Sequence, residues 1–274
     1  MTREMSDMHV SARLQDEKTD EVLTAQHIER GLNDKEAWMR KEWAERMDWT
    51  PTSEQIEKGL TDEEGWVRQA WAGRMDYTPT PLQIKRGLMD KHEWVRQAWV
   101  ERMDWIPTRK QAKMGVRDRD ERVRKAWAER MDWTPTPKQV ERGLTDRESG
   151  VRMSWAKRTD FVPTPAQVER GLTDTDVIVR VIWSKRTDYT PTPLQIERGL
   201  TDKDVWVRRV WIQRSDYTPT MQQAQRRIFE ESADMIIMWL KRTDIIWTHR
   251  YIRRGLRHPV AEVRKAWENV LQRQ

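Results

Sequence analysis

The residue types that most often carry out catalysis or bind metals are few in this chain, and their spacing forms no site. The 274 residues include no cysteine, which excludes a thiolate metal site and a disulfide framework. The histidines are His9, His27, His92, His249 and His258. None has a second histidine three or four residues away, the spacing that places two ligands on one helix face. The serines fit no nucleophile motif and the glycines form no phosphate loop, so we predict no enzyme, no metal and no cofactor.

Arginine and tryptophan are the residues whose spacing could instead bind a ligand. Arginine binds phosphates and carboxylates, while exposed tryptophan stacks on nucleic-acid bases or anchors protein interfaces. One arginine series precedes a turn aspartate by two residues: Arg46, Arg74, Arg102, Arg130, Arg158, Arg186, Arg214 and Arg242. We interpret it as a ladder of Arg–Asp contacts between repeats, and the alternative is a basic rail that binds a ligand.

A tryptophan at a constant interval of 28 residues defines the organisation of the chain. It stands at Trp43, Trp71, Trp99, Trp127, Trp155, Trp183, Trp211, Trp239 and Trp267, and these tryptophans number the repeats one to nine. A fixed period of this length predicts a solenoid, in which each repeat buries its apolar face only against its neighbours.

The second repeat, Thr52 to Pro79, has the clearest helix signals. Thr52 and Gln55 form a capping-box pattern that begins a short helix, here called helix A. Gly59 ends that helix, and we expect it to be a left-handed C′ residue, the conformation that glycine adopts most easily. The following Thr61-Asp62 pair predicts a second, longer helix, helix B, from about Glu63 to Arg74.

Helix B is amphipathic and ends at a turn. Its apolar stripe is Val67, Ala70, Trp71 and Met75. We expect this stripe to meet Ile56 and Leu60 of helix A, which assigns the tryptophan of each repeat to the core. The segment Asp76 to Pro79 then forms a turn, because proline prevents the helix from continuing.

The motif Asp62-x4-Val67-Arg68-x-Ala70-Trp71 resembles the HEAT-like and leucine-rich-variant α-helical repeats, over residues from about 23 to 274. The resemblance implies an all-α fold, a right-handed α-solenoid of about nine two-helix repeats with a concave binding face. It also implies that the motif arginine bonds to aspartates or carbonyls of adjacent repeats. The matching arginines are Arg40, Arg68, Arg96, Arg124, Arg152, Arg180, Arg208 and Arg264. Because 28 residues is short for a HEAT repeat, helix A is expected to be partly 3₁₀.

Three segments follow from the repeat pattern. Residues 1–22 are predicted to be a degenerate capping half-repeat, residues 23–220 seven regular repeats, and residues 221–274 a divergent eighth repeat with a C-terminal capping repeat. In the eighth repeat Arg227 replaces the glycine, so we expect one longer helix from Met221 to Lys241. Its apolar segment, residues 235–240, is either buried under the ninth repeat or exposed as a docking or self-association patch.

Positions that vary between repeats are those left available to bind a partner. They lie on helix B beside the apolar stripe, and include a second, interrupted tryptophan series. The candidate partner-binding residues are Trp38, Trp66, Trp94, Arg122, Lys157, Lys185, Trp206, Arg209 and Ile237. These tryptophans either stack as part of the outer packing or form a binding stripe.

Charge leaves two functions open. The 51 basic and 45 acidic side chains give a net charge of +6, which permits nucleic-acid binding without requiring it. The variable face changes from glutamate at Glu45, Glu101 and Glu129 to lysine at Lys157 and Lys185, which suits a folded protein better than a uniform polyanion. We therefore predict a non-catalytic scaffold for a protein partner, as a monomer or as a homodimer through the eighth repeat. The alternative is a nucleic-acid-binding solenoid with arginine rails and stacking tryptophans.

The location of the protein is predicted from its apolar content. The N-terminal residues lack an apolar signal segment, and no window approaches 18 consecutive apolar residues. We expect no membrane partner and a cytoplasmic location.

Overall fold

All regular secondary structure in the described part of the chain is α-helical. The computed structural model describes residues 23–229 and 232–273, and no strand occurs among them. The predicted capping half-repeat at 1–22 lies outside the described residues. The helices form two compact units, Met1–Gln111 and Ala112–Gln274.

Short A helices alternate with B helices along the chain, as the repeat pattern predicts. The A helices are Ala25–Leu32, Ser53–Leu60, Pro81–Gly87, Arg109–Gly115, Pro137–Leu144, Pro165–Leu172, Pro193–Leu200, Met221–Arg227 and His249–Gly255. The B helices are Ala37–Glu45, Gly65–Gly73, Glu93–Glu101, Glu121–Glu129, Ser149–Lys157, Val177–Lys185, Val205–Gln213, Ala233–Lys241 and Ala261–Arg273. Within each compact unit, successive B helices pack side by side, and most A helices pack on the B helix that follows them. This serial packing is the arrangement of an α-solenoid.

The capping boxes confirm where the A helices begin. Thr52 Oγ1 accepts a hydrogen bond from the backbone N–H of Gln55 at 3.3 Å, and Gln55 Oε1 accepts one from the N–H of Thr52 at 2.8 Å. Both bonds recur at Thr80, Thr108, Thr164, Thr192 and Thr220. The expected 3₁₀ character of helix A is wrong, because these segments are α-helical over seven or eight residues.

The repeated glycine has a different cause from the one predicted. No described glycine has a positive φ, so Gly59 is not a left-handed cap but lies inside Ser53–Leu60. A Cβ atom on Gly59 would lie 2.1 Å from Nε1 of Trp71. The indole of helix B therefore lies directly against the backbone of helix A, and only a residue without a side chain leaves room for it. The same contact occurs at Gly31, Gly87, Gly115, Gly143, Gly171, Gly199 and Gly255.

Helix B is shorter than predicted, and this changes which residues its stripe contains. It runs from Gly65 to Gly73 rather than from Glu63 to Arg74, because Asp62 Oδ1 accepts the N–H of Glu64 in a turn before the helix. Trp71 is 1% exposed and belongs to the core, whereas Met75 is 56% exposed. Arg74 is extended, with ψ at 134°, so Met75 leaves the helical phase and points to solvent. The assignment of Met75 to the apolar stripe is wrong.

The eighth repeat does not form one long helix. The expected continuous helix is replaced by Met221–Arg227 and Ala233–Lys241, and Ser232 between them has an extended backbone. Four residues of the apolar segment are buried: Met235, Ile236, Trp239 and Leu240. Ile237 and Met238 are half-buried. Burial thus accounts for most of this segment, and only two of its side chains remain partly accessible.

The last helix ends without a turn, but one of its arginines makes the contact with the preceding repeat that a pre-turn arginine makes elsewhere. Val270 stands where earlier repeats have their pre-turn arginine, and the helix continues to Arg273 instead of ending in a turn. Arg273 Nη2 donates to the carbonyl oxygen of Leu240 at 2.6 Å. In repeat eight, Arg242 Nη1 donates to the equivalent acceptor, the carbonyl oxygen of Ile212. An arginine one turn further along the longer helix therefore makes the same contact.

Candidate functional site

The arginines of the Asp-x4-Val-Arg motif join neighbouring repeats. Arg68 donates from Nε and Nη2 to Asp90 of the next repeat at 2.6 and 2.8 Å, and from Nη1 to the carbonyls of Asp62 and Glu63. This is the role that the family resemblance implies. Burial alone would raise the pKa of Asp90, but the hydrogen bonds from Arg68 and from the N–H of His92 outweigh it and hold that pKa below its ordinary value.

The arginines that precede the turn use all their donors inside the fold. Arg158 donates to the carbonyls of Ala128, Arg130 and Trp133 in the preceding repeat, at 2.9, 2.5 and 3.1 Å. Its remaining two bonds go to Asp160, at 2.9 and 2.6 Å. Five hydrogen bonds occupy the five N–H groups of the guanidinium, which is 1% exposed.

This geometry corrects the predicted ladder of Arg–Asp contacts between repeats. The aspartate belongs to the same turn as the arginine, and the bonds between repeats go to backbone carbonyls. Several of these arginines also lie between two rings: Arg158 Cζ is 5.0 Å from the centroid of the turn residue Trp133 and 5.3 Å from that of the core residue Trp155. Cation–π contacts of this kind strengthen when desolvated. The series stabilises the stacking of repeats, and its buried members cannot grip a phosphate.

The variable surface consists of one helical face repeated along the B helices. We call it the B-helix face, and define it by the residues at the repeat positions of Trp66, Gln69, Ala70 and Gly73, which share one side of helix B. Because neighbouring B helices pack side by side within each compact unit, residues 28 positions apart lie next to each other on it.

The interrupted tryptophan series lies at one end of this face with uneven exposure. Trp66 is 39% exposed and donates from Nε1 to Glu64, and Trp206 is 60% exposed with Arg209 Cζ 5.7 Å from its ring centroid. Trp38 and Trp94 are half-buried. Trp94 stacks on His92 at 4.9 Å, and its buried Nε1 has no hydrogen-bond partner. Only part of the series is therefore available to a partner.

In the first compact unit, the B-helix face forms a shallow groove of about 520 Å³. It is lined by alanines, by Glu45 and Glu101, and by Lys41, which pairs with Glu45 at 2.7 Å. Gly73 lies between these two glutamates, and a Cβ added to it would meet nothing within 4 Å. Since every other described repeat has a longer residue at this position, Gly73 opens the groove rather than serving the packing of the fold.

A row of exposed methionines borders this groove and was missed by sequence reasoning. Met47, Met75 and Met103 occupy equivalent turn positions and are all exposed. Their sequence position could have predicted this exposure, because each methionine immediately follows the pre-turn arginine and so lies beyond the end of helix B. Flexible, polarisable methionine side chains suit an adaptable binding surface.

In the second compact unit, the B-helix face is apolar along its centre and basic at one edge. Its central aliphatic residues are half-buried: Met153, Val181, Ile182, Val210, Ile237 and Met238. Ile178 and Trp206 beside them are exposed. The predicted residues Lys157 and Lys185 are exposed along one edge, as is Lys241. Arg122 is exposed in the fourth repeat, where Glu129 near it is already engaged by Ser154 and Lys125.

The described residues contain neither a candidate metal site nor a candidate membrane-spanning helix. No group of three or more His, Asp or Glu side chains there could hold a metal ion. None of the helices described has both the length and the apolar character needed to cross a membrane.

Comparison with known proteins identifies the fold. No protein-family model and no curated protein matches the sequence. Among solved structures, the chain is similar to a leucine-rich repeat variant with a novel repetitive structural motif, at 21% identity and a TM-score of 0.55. The similarity covers 91% of this chain and 87% of that one. A likeness at this identity shows the fold alone, and it agrees with the helix pairs described above. The chain is an α-helical repeat protein with an α-solenoid fold.

Proposed function

We propose that the protein is a non-catalytic cytoplasmic scaffold that binds a protein partner along its B-helix face. The observation that carries the proposal is the row of accessible aliphatic residues in the second compact unit. Ile178, Val181, Ile182 and Val210 occupy positions whose residue type varies between repeats and includes alanine, glycine and charged side chains, so the fold does not require aliphatic residues there. Accessible apolar residues in register on neighbouring helices are typical of protein-binding surfaces.

The charge at the edges of the face indicates what kind of segment each unit accepts. In the second unit, Lys157, Lys185 and Lys241 are exposed and take part in none of the ion pairs described. An amphipathic helix with an apolar side and an acidic flank would complement that surface. In the first unit, the glutamates and methionines of the groove would complement a basic, apolar segment.

The nucleic-acid alternative loses most of the side chains on which it depends. The arginine rails that would grip phosphates are buried and hydrogen-bonded, as Arg68 and Arg158 illustrate. Exposed tryptophan remains at Trp66 and Trp206. Arg209 lies against Trp206, but Trp66 bonds to Glu64, so these tryptophans do not form a continuous basic surface of the kind that such binding requires.

The proposal is tested by affinity capture with the full chain as bait and nuclease-treated lysate from the source cells. Ile178→Asp places a charge on the B-helix face, and Leu194→Asp is its matched control. Both residues are exposed, at 47% and 65%, and Leu194 lies on an A helix of the same compact unit. We expect Ile178→Asp and Trp206→Ala to lose a specific partner that the wild type and Leu194→Asp both retain, with unchanged circular dichroism.

Other outcomes would contradict the proposal in distinguishable ways. Equal capture by Ile178→Asp and Leu194→Asp would remove the face as the binding surface. Loss of all binding after nuclease treatment, together with a steep fall in oligonucleotide affinity as salt rises, would support the nucleic-acid alternative. A wild-type dimer that Ile237→Asp converts to a monomer, measured by light scattering, would assign the face to a second copy of the chain.

A further inference from the structure

The ninth repeat contains a strongly basic pocket that is separate from the B-helix face. It encloses about 880 Å³ and opens to solvent. Its charged and titratable lining residues are Arg250, Arg253, Arg254, Arg257, His249 and His258. No acidic side chain of the described residues lines it, and none of them pairs with these four arginines.

Comparison with earlier repeats shows that this basic character replaces an acidic arrangement. In repeat two, Glu57 accepts hydrogen bonds from Gln83 and Arg86 of the next A helix. Equivalent ion pairs join Arg170 to Glu141, Arg198 to Glu169 and Arg226 to Glu197. Each of these ion pairs neutralises the exposed arginine of one A helix.

In repeat nine the same ion pair cannot form. Arg254 occupies the position of Arg226, but the residue that should accept from it is Gln225 instead of a glutamate. Arg253 occupies a position that holds glutamate in repeats one, two, five, six and seven, and lysine in repeats three and four. Gln225 and Arg253 therefore leave repeat nine without the glutamates of repeats five to seven, and guanidinium groups are concentrated on one helix.

A third substitution extends the basic lining. His258 stands where earlier repeats have the aspartate that pairs with the motif arginine, and that arginine is itself replaced by buried Ile236. His258 Nδ1 accepts from the N–H of Val260 at 3.2 Å, which preserves the turn that the aspartate makes elsewhere. With Nδ1 as the acceptor, Nε2 is the ring nitrogen that carries the proton and can donate to a ligand.

One arginine of the pocket is held in place by an aromatic cluster. Arg254 Cζ lies 4.0 Å from the ring centroid of Phe229. Phe229 in turn stacks on Tyr251 and Trp267, with centroids 5.9 and 6.1 Å apart. A guanidinium fixed in this way loses less conformational freedom when it binds a ligand than a mobile one would.

We propose that this pocket binds a small ligand carrying two or more phosphate groups. Four guanidinium groups that no acidic side chain of residues 23–229 and 232–273 pairs with repel one another, and an anion relieves that repulsion. Planar guanidinium groups match the oxygens of phosphate with paired hydrogen bonds. The volume and the number of arginines exceed what a single phosphate would occupy. The site is independent of the proposed function, since it uses an A helix and none of the residues of the B-helix face.

The test is calorimetric titration of the full chain with sodium tripolyphosphate and, separately, with orthophosphate, at constant ionic strength. We expect one tripolyphosphate per chain, bound at least about tenfold more tightly than orthophosphate. Arg253→Glu, which restores the acidic residue of earlier repeats, should weaken tripolyphosphate binding by about tenfold or more. Gln225→Glu should also weaken it, because the new carboxylate can pair with Arg254 without removing any arginine.

A matched control separates the pocket from general surface charge. Arg117 stands at the same repeat position as Arg257, is likewise exposed, and lies in the fourth repeat. Arg257→Ala should weaken tripolyphosphate binding, whereas Arg117→Ala should not. Equal effects of the two substitutions, or no binding to the wild type, would overturn the proposal. A chain that binds single-stranded oligonucleotides but not tripolyphosphate would also overturn it, and would assign the arginines to nucleic acid.

Discussion

The contact between Gly59 and Trp71 predicts that Gly59→Ala destabilises the protein, whereas helix propensity alone predicts that it stabilises it. Gly59 lies in helix A, where alanine is ordinarily more stable than glycine by about 0.5–1 kcal/mol. In the structure, however, the added methyl carbon would lie 2.1 Å from Nε1 and 2.2 Å from Cε2 of Trp71. Unstrained carbon contacts are about 3.5–4 Å, so the indole would have to move by more than 1 Å. We therefore expect Gly59→Ala to destabilise the protein.

The magnitude follows from two opposing contributions. Overpacking of a well-packed core costs about 1–3 kcal/mol, and the short contact with a nearly fully buried ring favours the upper end. Loss of all packing by the indole, about 3–5 kcal/mol, sets a ceiling. After subtraction of the propensity gain, Gly59→Ala should lower the free energy of unfolding by about 2 kcal/mol.

Gly73 in the same repeat supplies the matched control. It is the last residue of helix B, and a Cβ there would have no neighbour within 4 Å. Gly73→Ala should therefore raise the free energy of unfolding by about 0.5–1 kcal/mol, through propensity alone. The two substitutions make the same chemical change, and we expect them to have opposite effects on the free energy of unfolding.

Urea unfolding followed by circular dichroism at 222 nm measures both effects, with midpoints compared because repeat arrays need not unfold in one step. Trp71→Leu provides a second check, because the smaller side chain removes the clash and should abolish the penalty of Gly59→Ala in that background. The reasoning is refuted if Gly59→Ala raises the midpoint as Gly73→Ala does, or if its penalty persists with leucine at position 71.

Three further predictions concern polar groups in and beside the turns. Arg158→Ala should lower the free energy of unfolding by about 3–5 kcal/mol, because it leaves Asp160 and three carbonyls without donors, and Arg158→Lys should recover only part of that loss in urea unfolding. The hydrogen bond from Arg214 holds the pKa of Asp216 below its ordinary value, so its stabilisation is complete above pH about 4 and is lost as pH falls through the lowered pKa. Thermal unfolding midpoints should show a smaller acid loss in Asp216→Asn. Burial raises the pKa of Tyr189 to about 12, so its stabilisation is complete below pH about 10 and is lost as pH rises towards that value. Absorbance at 295 nm should show this late ionisation, and Tyr189→Phe should reduce its amplitude by the contribution of one tyrosine, because burial also raises the pKa of Tyr77.

The fold could be predicted from sequence because its determining signals are local and repeated. Thr52 and Gln55 satisfy each other's backbone groups within four residues, so the capping box is visible without tertiary information. The glycine was located correctly but explained wrongly. A left-handed cap and a close ring contact both require a missing Cβ, and only the packing of helix A on helix B distinguishes them.

Long-range acceptors explain why the arginine contacts were predicted only in part. The pairing of Arg158 with Asp160 follows from their separation by two residues in one turn. Its contacts with the preceding repeat go to backbone carbonyls, which every residue possesses and which therefore leave no mark in the sequence. The misplaced Met75 has a related cause, since helical periodicity was extended past the residue where the helix actually ends.

Departures from the repeat are more informative about binding than the residues that recur, and the two classes of glycine show why. Gly59 recurs because Trp71 requires it, so its presence says nothing about a ligand. Gly73 occurs once at its repeat position, a side chain there would meet nothing within 4 Å, and the glycine opens a groove between charged side chains. By the same logic, Arg253 places a positive charge at a position where Glu57, Glu169 and Glu197 pair with an arginine of the next A helix. At such a position the residue no longer makes the stabilising interaction of the other repeats, and its side chain remains accessible. The folded chain gains no stability from the change, so the change is best explained by a ligand that binds there.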